Sequence, residues 1–241
     1  MGRIASFHLV REPTWRAPLA MGRLGTDRLR LGRTPGLEFW RLLGTGWADD
    51  TSTGIDPRRT ALFAVWASES ALDDFLAAST IGRRWGLLEE AWHVRLRSLG
   101  GHGRWRGADP LAGLDPGGAT GPIAVVTRAD VRLGAWWSFA RAGRVVDREL
   151  HRASGLIDVV GVGEAPIGRL ATFSLWDSMG AARSFASSTP DHVDVVRRTR
   201  DEHWYREELF ARFEPFGSTG RWNGRDPLAD GARITRRSPR S

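Results

Sequence analysis

One phrase, repeated, limits how this chain can fold more than any other feature. Gly103-Arg104-Trp105-Arg106-Gly107-Ala108-Asp109-Pro110-Leu111 returns as Gly220-Arg221-Trp222-Asn223-Gly224-Arg225-Asp226-Pro227-Leu228, in register across 117 positions. Upstream, Phe63-Ala64-Val65-Trp66-Ala67-Ser68 matches Phe173-Ser174-Leu175-Trp176-Asp177-Ser178, Glu90-Ala91-Trp92 matches Glu202-His203-Trp204, and Gly44-Thr45-Gly46 matches Gly161-Val162-Gly163, all in the same order. A period of this length marks two copies of one unit. Residues 1–118 are therefore read as a first half, 119–230 as a second, and 231–241 as a basic, disordered tail with too little apolar surface to fold.

Each half opens with an alternating stretch, Arg3 to Val10 and Pro122 to Ala129, that suits a half-buried strand. A helical stretch follows, then a strand ending in a Gly-x-Gly turn (Phe39 to Gly46, Leu156 to Gly163). A further strand (Thr60 to Trp66, Leu170 to Trp176) runs into Ser68 or Ser178, both good helix N-caps. The helical stretches behind them are Glu69 to Trp92, broken near Thr80 to Gly82, and Met179 to Tyr205, broken at Pro190. A last strand closes each half, with Leu209, Ala211 and Phe213 alternating against Phe210, Arg212 and Glu214. Strand, helix, strand, strand, helix, strand is the order of ferredoxin-like domains. Two such units bury their open sheet faces by pairing, so the expected fold is an α+β barrel of two tandem βαββαβ repeats, with helices outside and a cavity between the sheets.

Composition removes several classes of function. The 241 residues include no cysteine, which excludes disulfides, zinc–thiolate sites, iron–sulfur clusters and a thiolate-bound haem. No window approaches the ~18 apolar residues of a membrane-spanning helix, and no basic segment with a long apolar run opens the chain. The expected location is the cytoplasm, with contact to a membrane surface allowed. All 35 basic residues are arginine, the bias of a GC-rich genome, and the +7 charge is scattered over both halves apart from the Arg233 to Arg240 cluster. That scatter, without a nucleic-acid-binding motif, is not a phosphate-binding footprint, so no nucleic acid is expected as a partner.

The repeated phrase pairs no nucleophile with a base. Its glycines supply positive φ, its Asp-Pro starts a turn, and its tryptophan plugs the end of the sheet. The Gly-x-Gly pairs lack the third glycine and the following helix of a dinucleotide fingerprint and are read as turns or bulges at the cavity mouth. The six histidines are His8, His93, His102, His151, His192 and His203. None sits in a His-Glu-x-x-His or facial-triad spacing; His192 and His203 share a predicted helix but are about 16 Å apart along it, too far to share an ion. Gly-x-Ser-x-Gly, Walker and kinase patterns are absent.

A joint pattern does emerge. Arg33-Thr34-Pro35, Phe39-Trp40-x-Leu42, Gly44-x-Gly46, Gly103-Arg104-Trp105, Gly121-Pro122-x-Ala124-Val125-x-Thr127-Arg128, Gly161-x-Gly163-Glu164-x-Pro166, Thr172-Phe173-Ser174-x-Trp176 and the stretch from His192 through Trp204 to Glu207-Glu208-Leu209-Phe210-Ala211-Arg212-Phe213 together resemble the spheroidene monooxygenase family of carotenoid biosynthesis. The resemblance covers nearly the whole chain apart from the tail. It implies a dimeric α+β barrel and an oxygenase containing haem b, which uses O2 and electrons from a ferredoxin-type donor to oxidise an unactivated carbon of a lipophilic polyene.

Haem iron in a chain without cysteine takes a nitrogen or oxygen ligand, and the resemblance favours His192 as that ligand. Trp136, Trp137 and Phe139 are the aromatics expected to hold the substrate, and Arg128 and Glu164 the polar residues expected near the cavity as its catalytic pair, with a structural salt bridge as the alternative for each. A homo-oligomer is compatible with the reading. The sequence departs from the photosynthetic-bacterial members in its arginine-rich composition, the Asp49 to Arg59 loop and the tail, which bears on the substrate more than on the cofactor. A barrel that binds haem or a lipophilic molecule without turnover stays open as an alternative, because no catalytic triad or carboxylate pair marks the chemistry.

Overall fold

Alternation in the strands and serine caps on the helices set the element order. The computed structural model describes residues 2–46, 56–118, 120–165, 168–188, 199 and 202–229. In order come β1 (Ile4–Arg11), α1 (Ala17–Leu31), β2 (Leu37–Thr45), β3 (Asp56–Trp66), α2 (Glu69–Ala78), α3 (Thr80–Trp85) and β4 (Glu90–Gly103). Then follow β5 (Ile123–Val131), α4 (Trp136–Leu150), β6 (Leu156–Gly163), β7 (Arg169–Trp176), α5 (Met179–Ser188) and β8 (Tyr205–Gly220). The eight strands close into an antiparallel barrel in the order β1-β3-β2-β6-β7-β5-β8-β4. Read outward from β4 the first four run β4-β1-β3-β2, and from β8 the second four run β8-β5-β7-β6, so corresponding strands hold corresponding places. The α+β barrel expected from the sequence is the fold observed.

The two joins between these sets of strands are unequal. β4 and β8 pair over ten positions, from Trp92 opposite Gly220 to Gly103 opposite Leu209. Among the described residues β2 and β6 pair only at Gly44 with Gly163 and Thr45 with Val162, extended by a 3.0 Å bond from the Gly46 N–H to the Gly161 carbonyl. The Gly-x-Gly segments, expected as turns or bulges at a cavity mouth, are thus the short join itself, with the bulge falling between Gly44 and Thr45.

The expected cavity between the sheets is also corrected, because side chains fill the barrel. Phe7 and Phe173 stack across it with centroids 3.9 Å apart, Phe63 stacks on Trp105 at 5.5 Å, and Trp92 meets Trp222 at 5.4 Å. Ala5, Ala61, Ala124, Ala171 and Ala211 lie among these rings in the same cluster, and their small side chains let the walls close until aromatic faces touch. Helices cover much of the outside, so β1 is buried on both faces rather than one.

Local signals act where the sequence suggests. Ser68 Oγ accepts the Ala71 N–H and Ser178 Oγ the Ala181 N–H, capping α2 and α5. The helix expected to run to Trp92 stops at Trp85; Glu90–Trp92 opens β4 instead, drawn into the ladder opposite Arg11, Val10 and Leu9. Tyr205, expected at a helix end, opens β8 opposite Val131. Both copies of the repeated phrase form hairpin turns whose two central residues have positive φ: Arg106 (53°) with Gly107 (77°), and Asn223 (50°) with Gly224 (81°). Each turn closes through reciprocal backbone bonds between its flanking residues, the type I′ pattern, and delivers its buried tryptophan, Trp105 or Trp222, into the barrel core. The 231–241 tail lies outside the described residues.

Candidate functional site

Three places gather the side chains singled out in the sequence. The first is the barrel end beneath Trp105. Arg128, on β5 and 2% exposed, donates to the Glu207 carboxylate and to Asp130 (3.4 Å), with Glu164 at 3.8 Å. Glu164 also pairs with Arg41 at 3.4 Å and Arg106 at 3.8 Å. Glu207 accepts the N–H groups of Arg106 (2.6 Å) and Gly107 (2.7 Å), so it holds the repeated turn in place. Burial pushes its carboxyl up, but these two N–H groups and the Arg128 guanidinium outweigh that and hold it below the usual carboxylate range. Arg128 and Glu164 are therefore brought together, with Arg41 and Glu207 as partners that sequence reasoning missed.

A similar device closes the other barrel end. Arg59, 1% exposed, donates to Glu90 (3.0 Å) and to the Asn223 side chain (2.6 Å), and Glu90 accepts the Asn223 N–H at 3.1 Å. Glu90 and Glu207 thus hold the same place, 117 positions apart. The sequence match of Glu90 to Glu202 is corrected accordingly; extending the register of the repeated phrase upstream would have found Glu207.

The second place is the outer face of β5 to β8. Across the strands one row of paired residues runs His102, Phe210, Thr127, Thr172, Gly161. The corresponding row outside the first four strands runs Thr219, His93, His8, Leu62, Leu42. There His8, Leu62 and Leu42 are buried, with Trp85 of α3 against His8 and His93 at 5.4 and 5.7 Å. In the second row His8 is replaced by Thr127, Leu62 by Thr172 and Leu42 by Gly161, which shifts the sequence match so that Gly44 corresponds to Gly163, and Thr127 is exposed. Among the described residues the core outside β5–β8 has five buried members against twelve outside β1–β4. Residues 189–198, which follow α5 as α3 follows α2, lie outside the described residues, and with them His192.

The third place is the start of α4. The rings of Trp136 and Phe139 lie 6.1 Å apart, and Phe139 meets Tyr205 edge-on at 6.0 Å. Tyr205, the one tyrosine of the chain, is pushed up to about 12 by burial and the Glu208 carboxylate, against a hydrogen bond with Thr199, and stays protonated near neutrality. Trp137 is 80% exposed. Away from all three, a cavity of about 560 Å³ lies between the α1–β2 turn and α2–α3, lined by Arg33, Pro35, Ala71, Phe75 and Ile81 among others.

Of the other histidines, His8 and His93 are hydrogen-bonded to each other, His102 lies against Phe210, His151 bonds the Asp147 carbonyl, and His203 is an exposed turn residue with φ of 49°. Among the described residues no three His, Cys, Asp or Glu side chains converge on a metal-sized site. No described helix is long and apolar enough to cross a membrane.

The class these features define is the eight-stranded antiparallel α+β barrel with helices packed on its outside. An aldoxime dehydratase solved with butyraldoxime shares it, with a TM-score of 0.60 and 12% identity over 89% of this chain and 80% of that one; at that identity the likeness shows the fold alone. No family model matches the chain. A spheroidene monooxygenase of Rubrivivax gelatinosus is 35% identical over 193 residues, 79% of this chain and 73% of that protein. Those of Rhodobacter capsulatus and Cereibacter sphaeroides are each 29% identical, over 94% and 87% of this chain. The chain spans 95% of the Rhodobacter protein but 65% of the Cereibacter protein. This chain belongs to the spheroidene monooxygenase family.

Proposed function

We propose that this chain is a haem-dependent monooxygenase that oxidises a lipophilic, carotenoid-like substrate, using O2 and electrons from a ferredoxin-type donor, on the outer face of β5 to β8. The two sets of four strands are, in this reading, ferredoxin-like copies of one unit, and the cofactor would lie on the second sheet at the place where α3 covers the first. Membership of the family carries the reading. The shortened row Thr127, Thr172, Gly161 supports it, because three side chains smaller than those of the first row leave a flat, uncharged bed that fits a planar apolar macrocycle. The donor set fits as well: a chain without cysteine would hold the iron through a nitrogen or oxygen ligand, and His192, the residue the family resemblance favours, would supply an imidazole.

Haem b bound there supplies the iron chemistry that activates O2. The chain's own part is to bind, orient and exclude water. Trp136 and Phe139 offer apolar ring faces to a polyene, and Tyr205 keeps its proton beside them. Arg128 and Glu164 act in this reading as positioning residues, holding Glu207 and the start of β8 in register rather than touching the substrate.

An absorption spectrum after haem supplementation tests the reading. We expect a Soret band that shifts with CO on reduction, and substrate-dependent oxygen uptake. His192→Ala should remove most of the band while circular dichroism stays unchanged, and His203→Ala should leave the band intact. A His192→Ala protein with an unaltered spectrum would show that the ligand lies elsewhere.

A further inference from the structure

The helix beside this face carries a feature that the oxygenase chemistry does not use. Arg141, Arg144 and Arg148 are exposed along α4, and Leu133 and Trp137, 70% and 80% exposed, stand just before them. At 3.6 residues per turn, positions 137, 141, 144 and 148 of α4 fall within about a quarter-turn of one another, and Leu133 opens the single 3-10 turn that leads into the helix. They form one stripe, with two large apolar side chains at one end and three cations behind. No ion pair among the described residues holds Arg141, Arg144 or Arg148; the acidic side chain at Asp147 faces His151 instead.

The corresponding stretch of the first half is different. Trp15 is exposed there too, but the Arg16 guanidinium covers its ring at 4.4 Å, and two arginines of α1 are tied down, Arg23 to Glu12 (3.8 Å) and Arg30 to Asp27 (3.3 Å). The fold therefore does not itself require an uncompensated stripe at this place.

We propose that the stripe docks the protein on an anionic phospholipid bilayer, with Trp137 and Leu133 entering the headgroup layer and Arg141, Arg144 and Arg148 meeting lipid phosphates. Tryptophan is favoured at that boundary because its ring is apolar and its N–H still finds a polar partner. Cations beside it gain from the negative surface potential. A protein partner fits less well, since two exposed apolar side chains supply little of the roughly 800 Å² that each side of a stable interface buries. The purpose of docking rests on the proposed function: a polyene dissolved in the bilayer reaches Trp136 and Phe139 without crossing water.

Co-sedimentation of the full chain with vesicles tests the docking, without haem or substrate. We expect binding to vesicles of mixed phosphatidylglycerol and phosphatidylcholine, weakened by salt, and little binding to phosphatidylcholine alone. Replacing Arg141, Arg144 and Arg148 together with Gln should weaken partition by about a hundredfold, and Leu133→Ser with Trp137→Ser by about tenfold. Trp15→Ser should change nothing. These are surface positions, and circular dichroism checks that each variant is folded. The proposal is overturned by absent binding to the anionic vesicles, by binding that the substitutions leave unmoved, or by a single-stranded oligonucleotide that displaces the vesicles through the same residues. Vesicle binding without a Soret band or oxygen uptake would sink the proposed function and leave the docking standing.

Discussion

At the scale of single residues, the most constrained group is a buried chain of hydrogen bonds behind β1. Trp66 Nε1 donates to Ser6 Oγ (2.8 Å), which is hydrogen-bonded to His8 Nε2 (2.8 Å), and a single proton joins His8 Nδ1 to His93 Nδ1 (3.0 Å). The Nδ1–Nδ1 bond needs one bare nitrogen, so it cannot survive with both imidazoles protonated. Burial, then the neighbouring His93 and Arg95, push His8 well below the ordinary imidazole value, and burial with Arg95 lowers His93 to about 4. The unfolded chain titrates near 6.5, so as pH falls it takes up these protons before the folded chain does. Stability is therefore full above about 6.5 and declines as pH drops from there towards about 4, with His93 alone contributing on the order of 3 kcal/mol. Urea melts on either side of that window measure the slope. His93→Gln, which keeps an acceptor for His8, should flatten it, and an equally steep profile in that variant would place its origin elsewhere.

At the scale of elements, the repeated phrase does its work through close approach of strands as much as through its turn. Gly220 has φ of 91°, and a Cβ there would run into the Ala91 carbonyl oxygen of β4; Gly224, two residues past Trp222, has φ of 81° but open space around it. Gly224→Ala should thus cost only the left-handed strain, about 1–2 kcal/mol, whereas Gly220→Ala adds a backbone collision and should cost about 3–4 kcal/mol. Thermal melts of the two variants compare them directly, and equal losses would refute the argument. Strand order and helix caps were legible in the chain because they rest on local alternation and on Ser68 and Ser178. The start of β4 was not, since Glu90 is held by Asn223 from 133 residues away, and no window of sequence contains that bond. The Gly-x-Gly segments were half legible: the bulge expected among the alternatives is present at Gly44–Thr45, but the pairing of β2 with β6 across the barrel is a long-range contact that no two glycines announce. Within the candidate site, Arg128 and Glu164 were recognisable as polar residues amid apolar strands, but Thr127, Thr172 and Gly161 signify something only beside His8, Leu62 and Leu42, and that comparison needs the sheet registers.

At the scale of the molecule, the two joins of the barrel differ several-fold in length, ten paired positions at β4–β8 against two at β2–β6 among the described residues. Backbone amides exchange through local opening, and opening costs least where the fewest bonds and contacts must break together. Hydrogen exchange should therefore find the Gly46 amide, which bonds across β2–β6, among the first strand amides to exchange, and the central β4–β8 amides among the last; the reverse order would mean that the long join is the weak one. The barrel is in this sense a bracelet with a soldered seam and a hook. When the hook slips, the soldered side serves as the hinge, and two raw strand edges, β2 and β6, come free at once. Each edge is the natural complement of the other, so two bracelets opened together can hook into one another, and an exchanged dimer is the misassembly to which this architecture is exposed.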